Sequence, residues 1–273
     1  MQTLYASVSF SFLRKVEEAT LSNDKEAVYN LGLDPEQADQ ISKMRAADVF
    51  KLARIYQLVN IEIDEELLKH SIEQAEQGIT VQANIPDAEL TGELLRNLSN
   101  EAMDSFNHEL MTKEFGLSSD MLDTLATLSL SQISSIIKTG TVFYDISADE
   151  YRLPMALDFI AEQNREEESL SRLIEADASF PMVNALTGIH KKAFQLMRKK
   201  KGLMQTSASG GAPKQLDQEQ AHIAYNAWVQ SSGKPMIERC LAVHEAVNVG
   251  LRHLWPRIEE FRRYEEGEDV QLV

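Results

Sequence analysis

The apolar positions of the chain recur mostly at the three- and four-residue spacing of α-helices. Residues 6–20 place Val8, Phe12 and Val16 on one side, which predicts an amphipathic helix. Strand-like runs are few; residues 56–63 alternate loosely between apolar and polar, which favours a short strand. The pattern therefore predicts an all-α fold, mainly helical with short strands at most. Further helices are predicted over 65–77, 161–177, 217–230 and 235–264.

Helix-start residues stand before several of these segments. Asp24 is placed to accept a hydrogen bond from the first turn of a second helix, and Asp34 precedes a third. Pro35 suits the first turn of that third helix because proline has no backbone N–H to leave unpaired there. Pro256 falls inside the last predicted helix and is expected to kink it.

One part of the apolar pattern occurs twice, 84 positions apart. Leu31-Gly32-Leu33 corresponds to Phe115-Gly116-Leu117, and Leu58-Val59 corresponds to Val142-Phe143. We interpret the repeat as two copies of one small helical module. Two copies in one chain typically pack on each other or imitate a homodimer. The repeated pattern runs over about 8–77 and 94–163.

These patterns predict four parts along the chain. The first module occupies residues 1–80 and the second occupies residues 81–165. Residues 166–264 form a third part, which contains a candidate helix-turn-helix followed by further helices. Residues 265–273 form an acidic tail.

The candidate helix-turn-helix lies in the segment FPMVNALTGIHKKAFQLMRKKKG, residues 180–202. Gly188 suits a tight turn between two helices, because glycine adopts positive φ without steric penalty. Val183 and Ile189 are apolar, and Phe194, Met197 and Met204 are predicted to face inward as one stripe. The polar and basic side chains are then left outside. This arrangement is typical of a DNA-recognition helix. The pattern alone fits a solvated basic helix in a bundle equally well.

The distribution of charge favours the DNA interpretation. The chain has a net charge of −16, of which −15 falls in residues 1–150 and −1 in residues 151–273. Between Val183 and Leu216 there are seven Lys or Arg and no Asp or Glu. A local basic patch is what a phosphate-binding surface requires. The acidic first half is expected to repel nucleic acid and to suit protein partners.

Each basic residue receives a predicted role on double-stranded DNA. Lys191, Lys192 and Gln195 are expected to enter the major groove, where a glutamine amide can pair with adenine. Arg198 and residues 199–201 are expected to hold phosphates. The full set of predicted DNA-contacting residues is His190, Lys191, Lys192, Gln195, Arg198, Lys199, Lys200, Lys201 and Lys214.

Catalysis, metal binding and membrane insertion are not expected. No nucleotide-binding glycine motif or HExxH spacing occurs, and Cys240 is the single cysteine. We therefore predict no enzyme activity, no cofactor and no metal. No apolar run reaches the length of a membrane span, and no signal peptide is evident, so a cytoplasmic location is expected.

The first module resembles FlhD, one subunit of the bacterial flagellar master activator. The resemblance rests on short motifs at similar spacing, and the second module shares it more faintly through Phe115-Gly116-Leu117 and the segment 125–130. The motifs of the first module are Asp24-Lys25-Glu26-Ala27, Leu31-Gly32-Leu33, Lys51-Leu52-Ala53 and Gln57-Leu58-Val59.

Residues 171–228 resemble the N-terminal part of FlhC, the partner subunit. The shared features are the turn Leu186-Thr187-Gly188, the basic helix, a loop at 210–214 and an aromatic helix with Asn226-Ala227-Trp228. Two FlhD-like modules fused to an FlhC-like module also resemble proteins of conjugative elements and genomic islands. The cysteine cluster that binds zinc in FlhC is missing, since Cys240 stands alone.

The resemblance implies a DNA-binding transcriptional activator. It also implies a homo-oligomer or a partner regulator subunit, and contact with RNA polymerase. The alternative is a helical interaction protein of the same fold, such as an adaptor or anti-activator, that does not bind DNA. The overall charge of −16 favours that alternative.

Overall fold

A computed structural model describes residues 1–80, 88–203 and 215–267 of the chain. The structure is 72% helical with two short antiparallel strands, which confirms the mainly all-α prediction. The chain divides into two compact units, Met1–Ala161 and Glu162–Val273.

The described part of the first unit begins with four helices and a strand. These are α1 (Gln2–Leu21), α2 (Lys25–Asn30), α3 (Pro35–Ser42), α4 (Ala46–Ala53) and β1 (Val59–Ile63). They are followed by α5 (Glu65–Glu76), α6 (Ala88–Ala102), a 3₁₀ turn (Ser105–Asn107), α7 (His108–Phe115), α8 (Ser119–Ala126), α9 (Leu130–Lys138) and β2 (Tyr144–Ala148).

Helix α10 (Arg152–Glu175) begins in the first unit and ends in the second. The described helices that follow in the second unit are α11 (Phe180–Thr187), α12 (Lys191–Lys200), α13 (Gln218–Gln230), α14 (Met236–Val247) and α15 (Leu251–Glu265).

The predicted helix starts are present. The Asp24 carboxylate accepts a hydrogen bond from the backbone N–H of Ala27 at 3.0 Å. Asp34 and Gln37 form a reciprocal capping box, and Pro35 lies in the first turn of α3. Each cap satisfies backbone N–H groups that have no partner within the helix.

The first unit contains the same order of elements twice. A long helix, three short helices, a strand and another helix occur first as α1 to α5 and then as α6 to α10. The two strands pair antiparallel, with Ile61 opposite Ile146, so equivalent residues meet at the centre of the ladder. Residues of both copies form one continuous hydrophobic core.

The predicted alignment of the two copies is wrong by one residue from the strands onward. Leu58 and Phe143 are both fully buried, whereas Val142 is exposed, so Leu58 corresponds to Phe143. The difference arises because α9 has nine residues and α4 has eight. The spacing between equivalent residues is therefore 85 positions in the strands and in the helices after them.

The last predicted helix is two helices. Chain direction changes at Asn248, whose φ is +55°, and α15 begins after Gly250. The backbone N–H groups of Leu251 and Arg252 then donate to the carbonyls of Ala176 and Asp177. Asparagine tolerates the left-handed region better than most residues, which allows the break in an otherwise helical pattern.

Candidate DNA-binding site

Helices α11 and α12 form a helix-turn-helix at the predicted position. Gly188 has a φ of +69°, and its N–H donates to the Asn184 carbonyl at 2.8 Å, which ends α11. The Asn184 side-chain amide crosses the turn and donates to the Ile189 carbonyl at 3.0 Å. The turn is therefore closed by local hydrogen bonds, and its geometry depends on a residue that accepts positive φ.

Replacing Gly188 with alanine is expected to destabilise the second unit by about 1 kcal/mol. The cause is backbone strain alone, because no atom lies within 4 Å of the Cβ that the substitution adds. Urea unfolding followed by tryptophan fluorescence measures the change, since Trp228 and Trp255 are the two tryptophans and both lie in this unit. A Gly188→Asn variant serves as the control and is expected to lose less, because asparagine tolerates positive φ.

The inner side of α12 packs into the core of the second unit. Phe194 is buried, and its ring centroid lies 5.7 Å from that of Phe180 on α11. Val183 is fully buried, and Ile189 and Met197 are partly buried against the same core. Phe194 and Met197 thus lie on the inner side as predicted, and they set which side of α12 faces solvent. Met204, predicted to share their stripe, lies outside the described residues.

Arg198 also lies on the inner side of α12, and its predicted outward orientation is wrong. The side chain is 8% exposed, and the guanidinium donates to the Leu203 carbonyl at 3.0 Å. Its Nη1 lies 3.7 Å from the Asp177 carboxylate, and its charge lies 5.7 Å from the Phe194 ring centroid. The long apolar stem suits a buried position when the charge at its end has partners.

Asp177 connects three parts of the second unit. It follows α10 in the left-handed region, with a φ of +58°, and the Ala178 N–H donates back to the Leu173 carbonyl. One carboxylate oxygen faces Arg198 of α12, and the other lies 2.8 Å from Nε of Arg252 at the start of α15. Asp177 thus helps to fix the position of α12 through a contact on the buried side of that helix.

The sequence interpretation missed Asp177 and Arg252. One signal for Arg198 was available, because Phe194, Met197 and Arg198 fall at the i, i+3, i+4 positions that share a helix face. An aspartate between two predicted helices is also a common occupant of the left-handed region. The distant partner Arg252 had no signal in the local pattern.

The outer side of α12 carries most of the other predicted DNA-contacting residues. We call this set the α12 face; it consists of Lys191, Lys192, Gln195, Lys199 and Lys200, all of them exposed. His190 precedes the helix and is also exposed. None of these four lysines forms an ion pair with a residue that the structure describes. Leu196 lies among them and is 54% exposed.

Lys201 and Lys214 differ from the other predicted contacts. Lys201 follows α12, and its ammonium forms an ion pair with the Glu175 carboxylate, so part of its charge is already compensated within the second unit. Lys214 lies outside the described residues. The structure therefore brings together five of the predicted side chains on one helix face and places His190 beside them.

Other chemistry-bearing residues do not converge. No group of three His, Cys, Asp or Glu side chains with metal-binding geometry occurs among residues 1–80, 88–203 and 215–267. Cys240 is fully buried, and burial raises the pKa of its thiol to about 12, which keeps it protonated at neutral pH. Within the same ranges, no helix combines the length and apolarity that crossing a membrane requires.

The chain belongs to a family described as "Protein of unknown function (DUF2857)", whose model matches residues 93–264. The matched region begins within α6, so it includes most of the second copy of the repeat, and it includes the helix-turn-helix. Comparison with curated proteins and with solved structures finds no match.

Proposed function

We propose that this protein is a DNA-binding transcription regulator that inserts the α12 face into the major groove. The observation that carries the proposal is the sharp division of α12 into two sides. Four lysines and Gln195 face solvent, while Phe194 and Arg198 hold the opposite side in the core. A recognition helix needs this division, since its outer side chains must reach DNA while its inner side fixes its position.

Each part of the α12 face has a distinct role in this proposal. Lys191 and Lys192 at the start of the helix contact base edges or nearby phosphates, and Lys199 and Lys200 at its end neutralise phosphates. Gln195 lies between these pairs, where its amide can donate to and accept from an adenine edge. No side chain caps the first turn of α12, which leaves backbone N–H groups that favour a phosphate.

The resemblance to FlhD and FlhC supports assigning the protein as an activator. In that assignment the second unit supplies the FlhC-like DNA contact, and the repeat in the first unit supplies FlhD-like assembly surfaces. Residues 1–150 carry −15 of the net charge, which suits contact with protein partners such as a regulator subunit or RNA polymerase.

A second candidate function is protein interaction without DNA binding. Two observations favour it: the net charge of −16, and the exposed Leu196 in the middle of the α12 face. In this case the lysines would surround an apolar contact with an acidic protein surface. The DNA-binding function requires Lys191, Lys192 and Gln195 to be exposed, as they are. Their exposure is also compatible with the protein-interaction function, so it does not decide between the two.

The deciding experiment is fluorescence anisotropy with labelled genomic DNA fragments at two salt concentrations. We compare the wild type with a Lys191/Lys192/Lys199/Lys200→Ala variant that retains its circular dichroism spectrum. Removing four positive charges from the DNA-contacting surface is expected to weaken binding about 100-fold and to reduce the slope of log K against log salt by at most about 3 to 4. Arg198 is left unchanged, because its removal would disturb the fold and not only the surface.

A matched control removes four exposed lysines from the first unit. The Lys25/Lys69/Lys113/Lys138→Ala variant has the same change in net charge but is expected to keep most of the wild-type affinity. Equal losses of DNA affinity in both variants would show that binding depends only on the total charge of the protein. That result would contradict the proposed site. Absence of wild-type binding at low salt would favour the protein-interaction function.

A further inference from the structure

Helix α10 begins with large apolar side chains on its exposed side. Tyr151, just before the helix, and Met155 are each 73% exposed, and Phe159 is 58% exposed. They recur every four residues, so they form a stripe on the helix surface, which we call the α10 stripe. The opposite side of α10 is buried in the core of the first unit through Leu153 and Leu157.

The repeat shows that the fold does not require these residues to be apolar. Asp64 and Asp149 cap the equivalent helices α5 and α10, at a spacing of 85 positions. At the same spacing, Tyr151, Met155 and Phe159 correspond to Glu66, His70 and Gln74 of α5. Glu66 and His70 are exposed, as polar residues on a helix surface normally are. One copy thus has a polar surface where the other has an apolar one.

The α10 stripe is complementary to itself in an antiparallel arrangement. If two copies of α10 cross at Met155, Tyr151 of one copy faces Phe159 of the other. The same alignment places Arg152 opposite Asp158, and both residues are exposed. A parallel alignment in register would instead leave Arg152 of one copy and Asp158 of the other six residues, or about 9 Å, apart along the helix axis. Rows with a four-residue spacing also interdigitate in the commonest class of helix packing.

We infer that the α10 stripe is an interface with a second copy of this chain, formed by antiparallel α10 helices around Met155. The contact is isologous, because the same residues contribute from both copies. Three large side chains from each copy bury about 600 to 900 Å² in total, which is less than specific stable interfaces bury and falls in the range of weak, transient ones. The dimer is therefore weak and depends on concentration, with a dissociation constant on the order of 10 μM.

This interface does not depend on DNA binding, but it adds to that proposal. Many helix-turn-helix proteins read DNA as dimers, because two recognition helices contact two half-sites. The described part of each chain has one α12 face, so a dimer supplies the second. DNA can in turn raise the local concentration of a weakly associating protein.

Sedimentation equilibrium of the full chain, from about 1 to about 200 μM around the expected dissociation constant, tests the interface without DNA. The wild type is expected to pass from monomer to dimer. Met155→Glu places two like charges at the crossing point and is expected to weaken association at least ten-fold. Met155→Lys is expected to do the same. A mixture of the two variants is expected to associate again, because opposite charges then meet at the centre.

The matched control is His70→Glu, which introduces the same charge at the equivalent exposed position of α5. It is expected to dimerise like the wild type. A wild type that remains monomeric at every concentration overturns the inference. A dimer that persists in Met155→Glu, or a Met155→Glu and Met155→Lys mixture that stays monomeric, also overturns it. Because DNA is absent from the experiment, its failure leaves the proposed DNA-binding function unaffected.

Discussion

Replacing Asp177 with alanine is expected to lower the free energy of unfolding of the second unit by about 3 kcal/mol. The substitution removes the carboxylate that faces Arg198, whose side chain is 8% exposed. Arg252 loses its 2.8 Å contact with the same carboxylate. A buried guanidinium without its counter-charge is costly, although the 31% exposure of Asp177 lets water replace part of the lost contact. Alanine also tolerates the left-handed backbone of residue 177 poorly.

Urea unfolding followed by tryptophan fluorescence measures this change in the intact chain, because both tryptophans report on the second unit. Asp177→Asn is the informative comparison, since asparagine accepts positive φ and keeps the size of the side chain. It is expected to lose about half as much stability, which isolates the contribution of charge. Glu219→Ala, at an exposed position of α13, is expected to change stability by no more than about 0.5 kcal/mol. A wild-type unfolding midpoint in Asp177→Ala would contradict the anchoring role.

Anchoring and DNA contact are separable in these variants. Asp177→Ala leaves all four lysines of the α12 face in place but loosens the support beneath the helix. We expect weaker DNA binding with an almost unchanged salt dependence, because the number of phosphate contacts is retained. The four-lysine variant is expected to show the reverse, with normal stability and a reduced salt slope. The two measurements together distinguish a supporting residue from a contacting one.

Replacing Glu265 with alanine is expected to cost about 2 kcal/mol. The Glu265 carboxylate accepts two hydrogen bonds from Arg239, at 3.0 and 2.7 Å. Arg239 is buried, and its guanidinium lies 3.5 Å from the ring centroid of the fully buried Trp228. Loss of the carboxylate leaves this guanidinium with the Trp228 ring and its 3.3 Å bond to the Trp228 carbonyl. Glu265 is 39% exposed, so solvent reduces the effect below that of a fully buried pair.

The contribution of Glu265 also depends on pH. Hydrogen bonds from Arg239 hold the pKa of the Glu265 carboxyl below its ordinary value of 4.5. A carboxyl with a lower pKa in the folded state contributes its full stability above the unfolded pKa. That contribution is lost as the pH falls through the folded pKa. The difference in unfolding free energy between wild type and Glu265→Gln should therefore hold at neutral pH and shrink as the pH falls below 4.5.

The adjacent residue supplies a matched control for this prediction. Glu266 forms a surface pair with Arg262 at 3.5 Å and is 56% exposed. Glu266→Ala is expected to change stability by about 0.5 kcal/mol or less, because exposed ion pairs contribute little. Equal effects of the Glu265→Ala and Glu266→Ala substitutions would show that the ion pair of Glu265 with Arg239 adds nothing to stability.

Local patterns determined the parts of this protein that depend on neighbouring residues. Apolar spacing predicted α1, α5 and α13 closely, Asp24 and Asp34 marked helix starts, and Gly188 marked the turn before α12. These features follow from backbone hydrogen bonding and φ preference, which act within a few residues. The exposed lysines of α12 were predictable for the same reason, because helical periodicity assigns them to one side.

Only the tertiary structure decided which charged residues are partners. Arg198 is a basic residue on a basic helix, as a DNA contact would be, yet Asp177 and the Leu203 carbonyl hold its side chain in the core. The break in the helix at Asn248 likewise allows the first backbone N–H groups of α15 to donate to the Ala176 and Asp177 carbonyls, which are distant along the chain. Whether an ionisable side chain is buried depends on partners that are distant along the chain, and local sequence does not specify them. The physical reason is that burying a charge becomes favourable only when folding supplies its counter-charge and hydrogen bonds.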